Sequence, residues 1–419
     1  MSKALRREIG LLSLVVYYFS TIVGVGIFIV PLFAAKLAGP ASLVAWGVAL
    51  LCAYPFAMIF AHISQTNQVS GSIQKFLEKT WGNNFGKAMA LFLVVSALFG
   101  NALLGFSAAR YCNELFEIEL NVFLLGCAFL WLPIFFNLMR IGVSSKIQTF
   151  ALIGLVVLIE MVVITAIPQY QVTNLEPFAP NGWGAILPAV MICFYSIVGW
   201  ENVDAMAEEV KNPGKSYKKA VQIAIGVIAL FYLSIAFTVV AIMDHATISS
   251  TKTVLTAILK ISMGHAASKA GGVIAITLLI LAANAWVLGT SRIIFALARD
   301  GILPKSIARL STNDVPHLAV MSQMVFYSLI SLVLVVLSVS EDTVVEVTSL
   351  NYLLLYIIIF FSGMKSFRNS RFKVISAVAM AIVLVLLLQS SVEKIGLCIL
   401  IMLICLFYVF IGNKKRARL

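Results

Sequence analysis

The stretch Thr21-Ile22-Val23-Gly24-Val25-Gly26-Ile27-Phe28-Ile29-Val30-Pro31 sits inside an apolar run, residues 9–36, long enough to cross a bilayer, yet it carries two glycines near its middle. A second run, residues 184–206, is interrupted in the same manner by Val198-Gly199-Trp200-Glu201. In hydrocarbon, a backbone N–H or C=O without a partner costs several kcal/mol. A helix is therefore broken at membrane depth only where the freed groups line a cavity or hold a ligand. Two such breaks at matching positions in two halves of a chain point to a small-molecule site near the bilayer midplane.

Composition narrows the class. The 419 residues are 61% hydrophobic and 11% charged, with a mean hydropathy of +1.01. Soluble domains carry about 25% charged residues. The chain reads as an all-α polytopic membrane protein with twelve transmembrane helices, over residues 9–36, 42–62, 88–109, 121–139, 147–167, 184–206, 220–243, 270–298, 317–338, 343–362, 373–390 and 395–411. A net charge of +12 could suit a nucleic-acid binder, but the charges sort by side. With the N-terminus inside, alternate loops and the two ends hold 24 of the 30 Lys and Arg, against Lys36, Arg110, Lys252, Lys260, Lys269 and Lys394 outside. That is the positive-inside pattern. It predicts a multi-pass plasma-membrane protein, in a bacterium the inner membrane, with both termini cytoplasmic. Its partners are the lipid bilayer and a small molecule, with no nucleic acid. Monomer and homodimer both stay open.

The six cysteines show no CxxC or Cys/His ligand spacing, so free thiols and no metal or cofactor are expected. Gly214-Lys215-Ser216 lacks the leading glycine of a phosphate loop, since position 209 is glutamate. His62, His245, His265 and His317 form no catalytic spacing. An enzyme is not expected.

Spans 1 and 6 begin on opposite sides under this charge topology, and each carries its break, as an inverted repeat of five helices requires. The expected organisation is residues 1–167 for the first repeat, 168–362 for the second, and 363–419 for two additional helices and a basic tail. Residues 63–87 should hold a short inner helix, and residues 244–269 an outer helix, one reading of which is a lid. At the first break, a helix stopping at Gly24 and restarting near Ile27 would offer bare carbonyls from one half and bare N–H groups from the other. Those groups suit an ammonium and a carboxylate, so a zwitterion fits. The bland alternative is that Gly24 and Gly26 only let helices pack closely.

The residues also resemble a known family. Gly24 to Pro31 is similar to the first-helix motif of the amino acid-polyamine-organocation transporters, whose fold is the LeuT-like 5+5 inverted repeat. Gly199-Trp200-Glu201 with Glu208-Glu209-Val210-Lys211-Asn212-Pro213-Gly214-Lys215 resembles their sixth helix and the turn after it. Ser291-Arg292 with Phe295-Ala296-Leu297-Ala298-Arg299-Asp300-Gly301-Ile302-Leu303-Pro304 resembles the end of their eighth helix. Within the superfamily the nearest resemblance is to the basic amino acid/polyamine antiporters. It implies a secondary active amino-acid transporter, an exchanger or proton-linked antiporter, carrying an amino acid or its amine product. It also implies that the breaks bind substrate through Gly24, Val25, Gly26 and Ile27 on one side, and Ser196, Ile197 and Gly199 on the other. Asn101, Tyr195 and Trp286 would surround the substrate side chain.

Glu201 is an ionisable residue at membrane depth, which is rare and usually faces a cavity or relay; it is the candidate for proton coupling or gating. Asn101 could instead tie helices together. Glu160 and Asp204 are weaker candidates, with structural roles preferred. Glu208, Glu209, Lys211 and Lys215 read as a charge cluster at the inner mouth. Two departures from the antiporter pattern bear on substrate. Val25 stands where a small polar residue is usual, and Tyr195 stands where a tryptophan, the better cation–π face, is usual. Both also suit a neutral exporter for methionine, branched-chain or aromatic amino acids. A sodium site would need Thr290 and Ser291 with first-helix carbonyls. The rival from another class is an amino-acid sensor with a transporter fold.

Overall fold

A computed structural model of the protein describes residues 7–416 apart from positions 140, 252, 313 and 340. The described residues fold into seventeen α-helices: α1 (Leu11–Ile22), α2 (Gly24–Ala38), α3 (Ser42–Thr66), α4 (Ser72–Trp81), α5 (Asn83–Phe116), α6 (Val122–Asn137), α7 (Ile141–Ala166), α8 (Ile186–Tyr195), α9 (Trp200–Asp204), α10 (Pro213–Ile242), α11 (His245–Ser250), α12 (Val254–Met263), α13 (His265–Arg299), α14 (His317–Val336), α15 (Glu341–Ser366), α16 (Ser370–Leu387) and α17 (Val392–Arg416). Among the described residues, nine helical segments are long and apolar enough to cross a membrane, and four further apolar helices are shorter. The expected helix within residues 63–87 is α4, and residues 244–269 hold two short helices, α11 and α12.

The first break differs from expectation. Helix α1 ends at Ile22 and α2 restarts at Gly24, so Val23 alone is non-helical and its N–H still bonds to the Phe19 carbonyl at 2.7 Å. The expected stop at Gly24 and restart near Ile27 are therefore displaced toward the N-terminus, and the gap is shorter. Gly24 and Gly26 form the first turn of α2 and neither has a positive φ, so no special backbone angle calls for glycine there. The second break is wider. Residues 196–199 leave the helix between α8 and α9, and Gly199 takes φ +130°, a conformation that side chains disfavour.

Long helices α5 and α13 pack along one another through the centre, against α1, α2, α6 and α15. Helices α16 and α17 lie at the periphery and expose apolar residues such as Val378, Leu388, Leu403 and Phe407. That is the pattern of helices facing lipid.

One end of the bundle is sealed by charge. Arg292 of α13, 1% exposed, donates through Nε to Glu209 Oε1 at 2.7 Å and through Nη2 to Oε2 at 3.3 Å, while Nη1 reaches Ser291. Arg299 lies 3.3 Å from Glu208, which also accepts from the Ser70 N–H. Both acids of the expected charge cluster thus pair with arginines of α13. Asp300 accepts from Gln74 and Lys75 of α4. Burial alone would lower the Lys75 ammonium, but hydrogen bonds to Asp300 and Glu78 outweigh it and hold its pKa above the usual value. Beside this cluster the N-terminal segment adds a short parallel bridge: the Ile9 N–H bonds to the Glu209 carbonyl, and the Lys211 N–H to the Ile9 carbonyl.

The Arg292–Glu209 pair is almost fully removed from solvent, so deleting one partner strands the other charge. Glu209→Ala is expected to cost about 3–5 kcal/mol. Replacing both residues by apolar ones of similar volume should recover most of that loss. Melting of the purified protein in detergent would decide this; equal melting temperatures for the single and double variants would show that the pair does not hold this end together.

Candidate functional site

The two breaks meet around one hydroxyl. Tyr232, on α10 and fully buried, donates to the Ile22 carbonyl at the end of α1 (2.7 Å) and is shared with the Ser196 carbonyl just past α8 (3.1 Å). Its ring is stacked on Trp46 of α3 at 4.6 Å. The breaks free carbonyls of this kind from intrahelical partners, and one side chain from a third helix takes up a carbonyl from each. Gly26 makes this possible. A Cβ there would lie 2.3 Å from the Tyr232 hydroxyl and 2.7 Å from Ser196 Oγ, whereas a Cβ at Gly24 would meet only ordinary contacts with Leu104 and Ala282.

A second set of bonds closes the same junction. Trp286 Nε1 of α13 donates to the Thr21 carbonyl at 2.9 Å, and Thr21 Oγ1 lies 3.4 Å from the Gly199 carbonyl. A Cβ at Gly199 would lie 3.1 Å from the Thr21 carbonyl oxygen. Each break is thus held by residues of the other and by α10 and α13.

Beside the junction lies a cavity lined by Thr21, Ile22, Gly26, Gly100, Leu104, Tyr195, Val198, Trp286, Thr348 and Tyr352. Its volume of about 20 Å³ has room for a water molecule and no more. The conformation is closed around the site. No lining side chain is charged, and three are aromatic, with the Trp286 and Tyr352 rings 6.4 Å apart. Among the described residues, the buried hydroxyls of Thr348 and Tyr352 have no protein partner. Buried polar atoms rarely stay unpaired, so these two are available to a ligand.

Of the residues expected from sequence, Gly26, Tyr195 and Trp286 line this cavity. Gly24, Ile27, Ser196, Ile197 and Gly199 build the breaks around it without lining it. The side chains of Val25 and Asp204 lie outside the described residues. Asn101 is turned away: its Nδ2 donates to the Tyr327 hydroxyl at 2.9 Å, Tyr327 donates to Gln323, and Gln323 donates to the Val287 carbonyl. This relay joins α5, α14 and α13, so Asn101 ties helices together. Glu160 is exposed on α7.

Glu201 follows the second break and does not line the cavity. It is fully buried, and its Oε2 accepts from the Gly199 N–H at 3.3 Å and from the Tyr356 hydroxyl of α15. It borders a void of about 10 Å³ shared with Gly71, Ser72 and Gln74 at the start of α4. It therefore connects the break to the charge-sealed end.

Sequence reasoning missed Tyr232, Thr21, Thr348 and Tyr352. Tyr232 carried a usable signal. It is ten residues before the end of α10, roughly 15 Å at 1.5 Å per residue, too deep for a tyrosine of the interfacial belt. Thr348, Ser349, Asn351 and Tyr352 form a polar run inside an otherwise apolar span, which was a second one.

The contrast between the two glycines is directly measurable. Gly26→Ala is expected to lower the melting temperature severely or prevent folding, and Gly24→Ala to stay near the parent. Tyr232→Phe strands two buried carbonyls and should cost about 1–3 kcal/mol. Matching melting temperatures for the two glycine variants would remove the close-packing role of Gly26.

Comparison with known proteins supplies the family. The amino acid permease profile matches residues 9–417. The chain is 24% identical to the uncharacterized amino acid permease YecA of Bacillus subtilis over 327 residues, covering 77% of this chain and 76% of that one. It is 23% identical to the branched-chain amino acid permease BcaP of the same organism, covering 76% and 72%. With the L-methionine/branched-chain amino acid exporter YjeH of Escherichia coli it shares 24% identity, covering 98% of this chain and 97% of that protein. A match over nearly the whole length, on a chain with two helix breaks meeting at a closed central cavity, establishes that the protein belongs to the amino acid permease family of the amino acid-polyamine-organocation superfamily.

Proposed function

We propose that the protein is a secondary active amino-acid transporter working by alternating access, an exchanger or a proton-linked antiporter, whose substrate is a neutral amino acid with an apolar side chain. The observation that carries this reading is the cavity at the two breaks, lined by aromatic, aliphatic and hydroxyl groups with no charged side chain. A substrate carboxylate would face the first-turn N–H groups of α2, and its ammonium the carbonyls freed at the ends of α1 and α8. The side chain would lie against Tyr195, Trp286 and Tyr352. The methionine and branched-chain substrates named for two of the relatives agree with such walls. A basic side chain or its amine product is the second reading, supported by the same three rings, since aromatic faces attract cations.

In this reading the chain has twelve spans, with α1/α2 and α8/α9 as the broken first and sixth. Two inverted five-helix repeats, residues 1–167 and 168–362, are followed by a pair in 363–419. Both termini face the cytoplasm of a bacterial inner membrane, so the charge-sealed end is the inner one. Glu201, bonded to Gly199 of the break and to Tyr356 of α15, is the gating or proton-coupling residue.

Counterflow in proteoliposomes tests the reading: vesicles loaded with one unlabelled amino acid at a time, with entry of labelled leucine, methionine and arginine followed across a pH series. Exchange of leucine or methionine is the expected result. Exchange of arginine alone would favour the basic reading, and silence across the panel would favour a sensor. Trp286→Ala should weaken the apparent affinity about tenfold, or ~1.4 kcal/mol. Glu201→Gln should flatten the pH profile more than it changes affinity. Unchanged transport in both variants would remove these residues from the site.

A further inference from the structure

At the charge-sealed end of the bundle, the surface where α4 meets α15 is aromatic and exposed. Trp81, the last residue of α4, is 39% exposed, and Phe361 of α15 is 46% exposed. Their rings are stacked, with centroids 5.7 Å apart and planes within 16° of parallel. Trp81 Nε1 donates to Ser362 Oγ at 2.7 Å, which ties the indole to α15. The Lys365 ammonium lies over the same indole, 3.9 Å from the ring centroid. An exposed pair of rings with a lysine head drawn along them suits the boundary between acyl chains and headgroups.

Beyond Lys365 the chain turns through Arg368 into α16, whose first turn holds Arg371 and Lys373. All four cations are exposed. None of them pairs with an acid among the described residues, and the sequence has no Asp or Glu between Glu346 and Glu393. Elsewhere at this end Arg292, Arg299 and Lys75 are each matched by an acid. The N-terminus of α16 adds to the imbalance, because a helix start carries partial positive charge and disfavours cations in its first turn. An anion at this turn would relieve that repulsion. Next to the cations the helix surfaces are apolar. Phe361 precedes Lys365 by one turn of α15, and the exposed Val374 and Val378 follow Arg371 along one face of α16. Unmatched cations beside exposed apolar stripes complement a molecule that joins an acidic headgroup to acyl chains.

We propose that Trp81, Phe361, Lys365, Arg368 and Arg371 form a docking site for an anionic phospholipid. The three cations hold its phosphate, and an acyl chain lies against the two rings. Selection is by charge, so a zwitterionic lipid does not take its place. Helix α4 also holds Asp300 through Gln74 and Lys75, so a lipid bound across α4 and α15 braces an element of the charge seal. On the proposed orientation the site faces the inner leaflet. It rests on membrane embedding, which the family establishes, and not on the substrate or direction of transport.

The test equilibrates the purified full-length protein in nanodiscs of phosphatidylcholine with a rising fraction of phosphatidylglycerol, and counts the lipids retained on the released protein by native mass spectrometry. Preferential retention of phosphatidylglycerol is expected in the parent. Lys365→Gln, Arg368→Gln and Arg371→Gln should each weaken it about fivefold, and the three together on the order of a hundredfold. Lys365→Arg keeps the charge and should retain the lipid, and melting temperatures in phosphatidylcholine alone separate lost binding from lost folding. Lys215→Gln, Lys218→Gln and Lys219→Gln combined remove as many cations from the start of α10, at the same end, and should leave retention near the parent's. Excess inorganic phosphate should not displace the lipid. Equal retention of both lipids by the parent, unchanged retention in the triple variant of the patch, or an equal loss in the α10 variant would overturn the proposal. Displacement by phosphate would overturn it too, by making this an ion site.

Discussion

The structure depends on how carbonyl groups freed inside an apolar bundle are satisfied. The Tyr232 hydroxyl meets one carbonyl from each break, and Trp286 Nε1 meets the neighbouring Thr21 carbonyl. Without them, the ends of α1 and α8 would leave backbone acceptors stranded at membrane depth, each at a cost of several kcal/mol. Tyr232 of α10 bonds to both breaks and Trp286 of α13 to the first, so movement of either break must alter a bond to α10. Close approach follows from this requirement. Gly26 has no side chain because the Tyr232 hydroxyl and Ser196 occupy the place a Cβ would take.

Charge closes one end of the bundle and leaves the other accessible. Arg292 with Glu209, Arg299 with Glu208, and Lys75 with Asp300 join α13 to α4 and to the turn after α9. Each of these pairs links elements distant in sequence, and Arg292–Glu209 is nearly dry. Opening this end requires solvating those charges, whereas the opposite end already holds a cavity of about 460 Å³. The two ends of the bundle are therefore built differently: one is sealed by charge pairs, Arg292–Glu209 among them nearly dry, while the other surrounds an open cavity with a part-exposed pair, Glu346 with Lys394.

The membrane character, the helices and the existence of both breaks were legible in the sequence, because glycine beside polar residues inside a long apolar run marks a helix that stops and restarts at membrane depth. The start of α2 was not. The sequence shows glycines at positions 24 and 26, but it does not show that Val23 can leave the helix while its N–H still reaches Phe19. Trp286 and Tyr195 line the cavity, since a deep aromatic on a central helix has little choice of surroundings. Asn101 bonds to Tyr327 instead, and an amide satisfied by a distant tyrosine looks the same in sequence as one facing a ligand. Tyr232 and Thr348 left only indirect marks, a tyrosine too deep for the interfacial belt and a polar run in an apolar span, because their partners are backbone atoms or none.

The position of Glu201 constrains how substrate and ion movements can be linked. Its carboxylate does not line the central cavity, and it touches the second break through the Gly199 N–H. Gly199 in turn lies against Thr21, whose carbonyl accepts from Trp286, a wall of the cavity. A change in the charge of Glu201 would reach the cavity through these contacts and also through Tyr356, its hydrogen-bond donor, whose ring lies 6.3 Å from that of the cavity-lining Tyr352. On the proposed reading this separation has a functional consequence. The cavity can stay uncharged and select apolar side chains, while the group that responds to pH sits between the break and the sealed end, where it acts on the gate and not on the cargo.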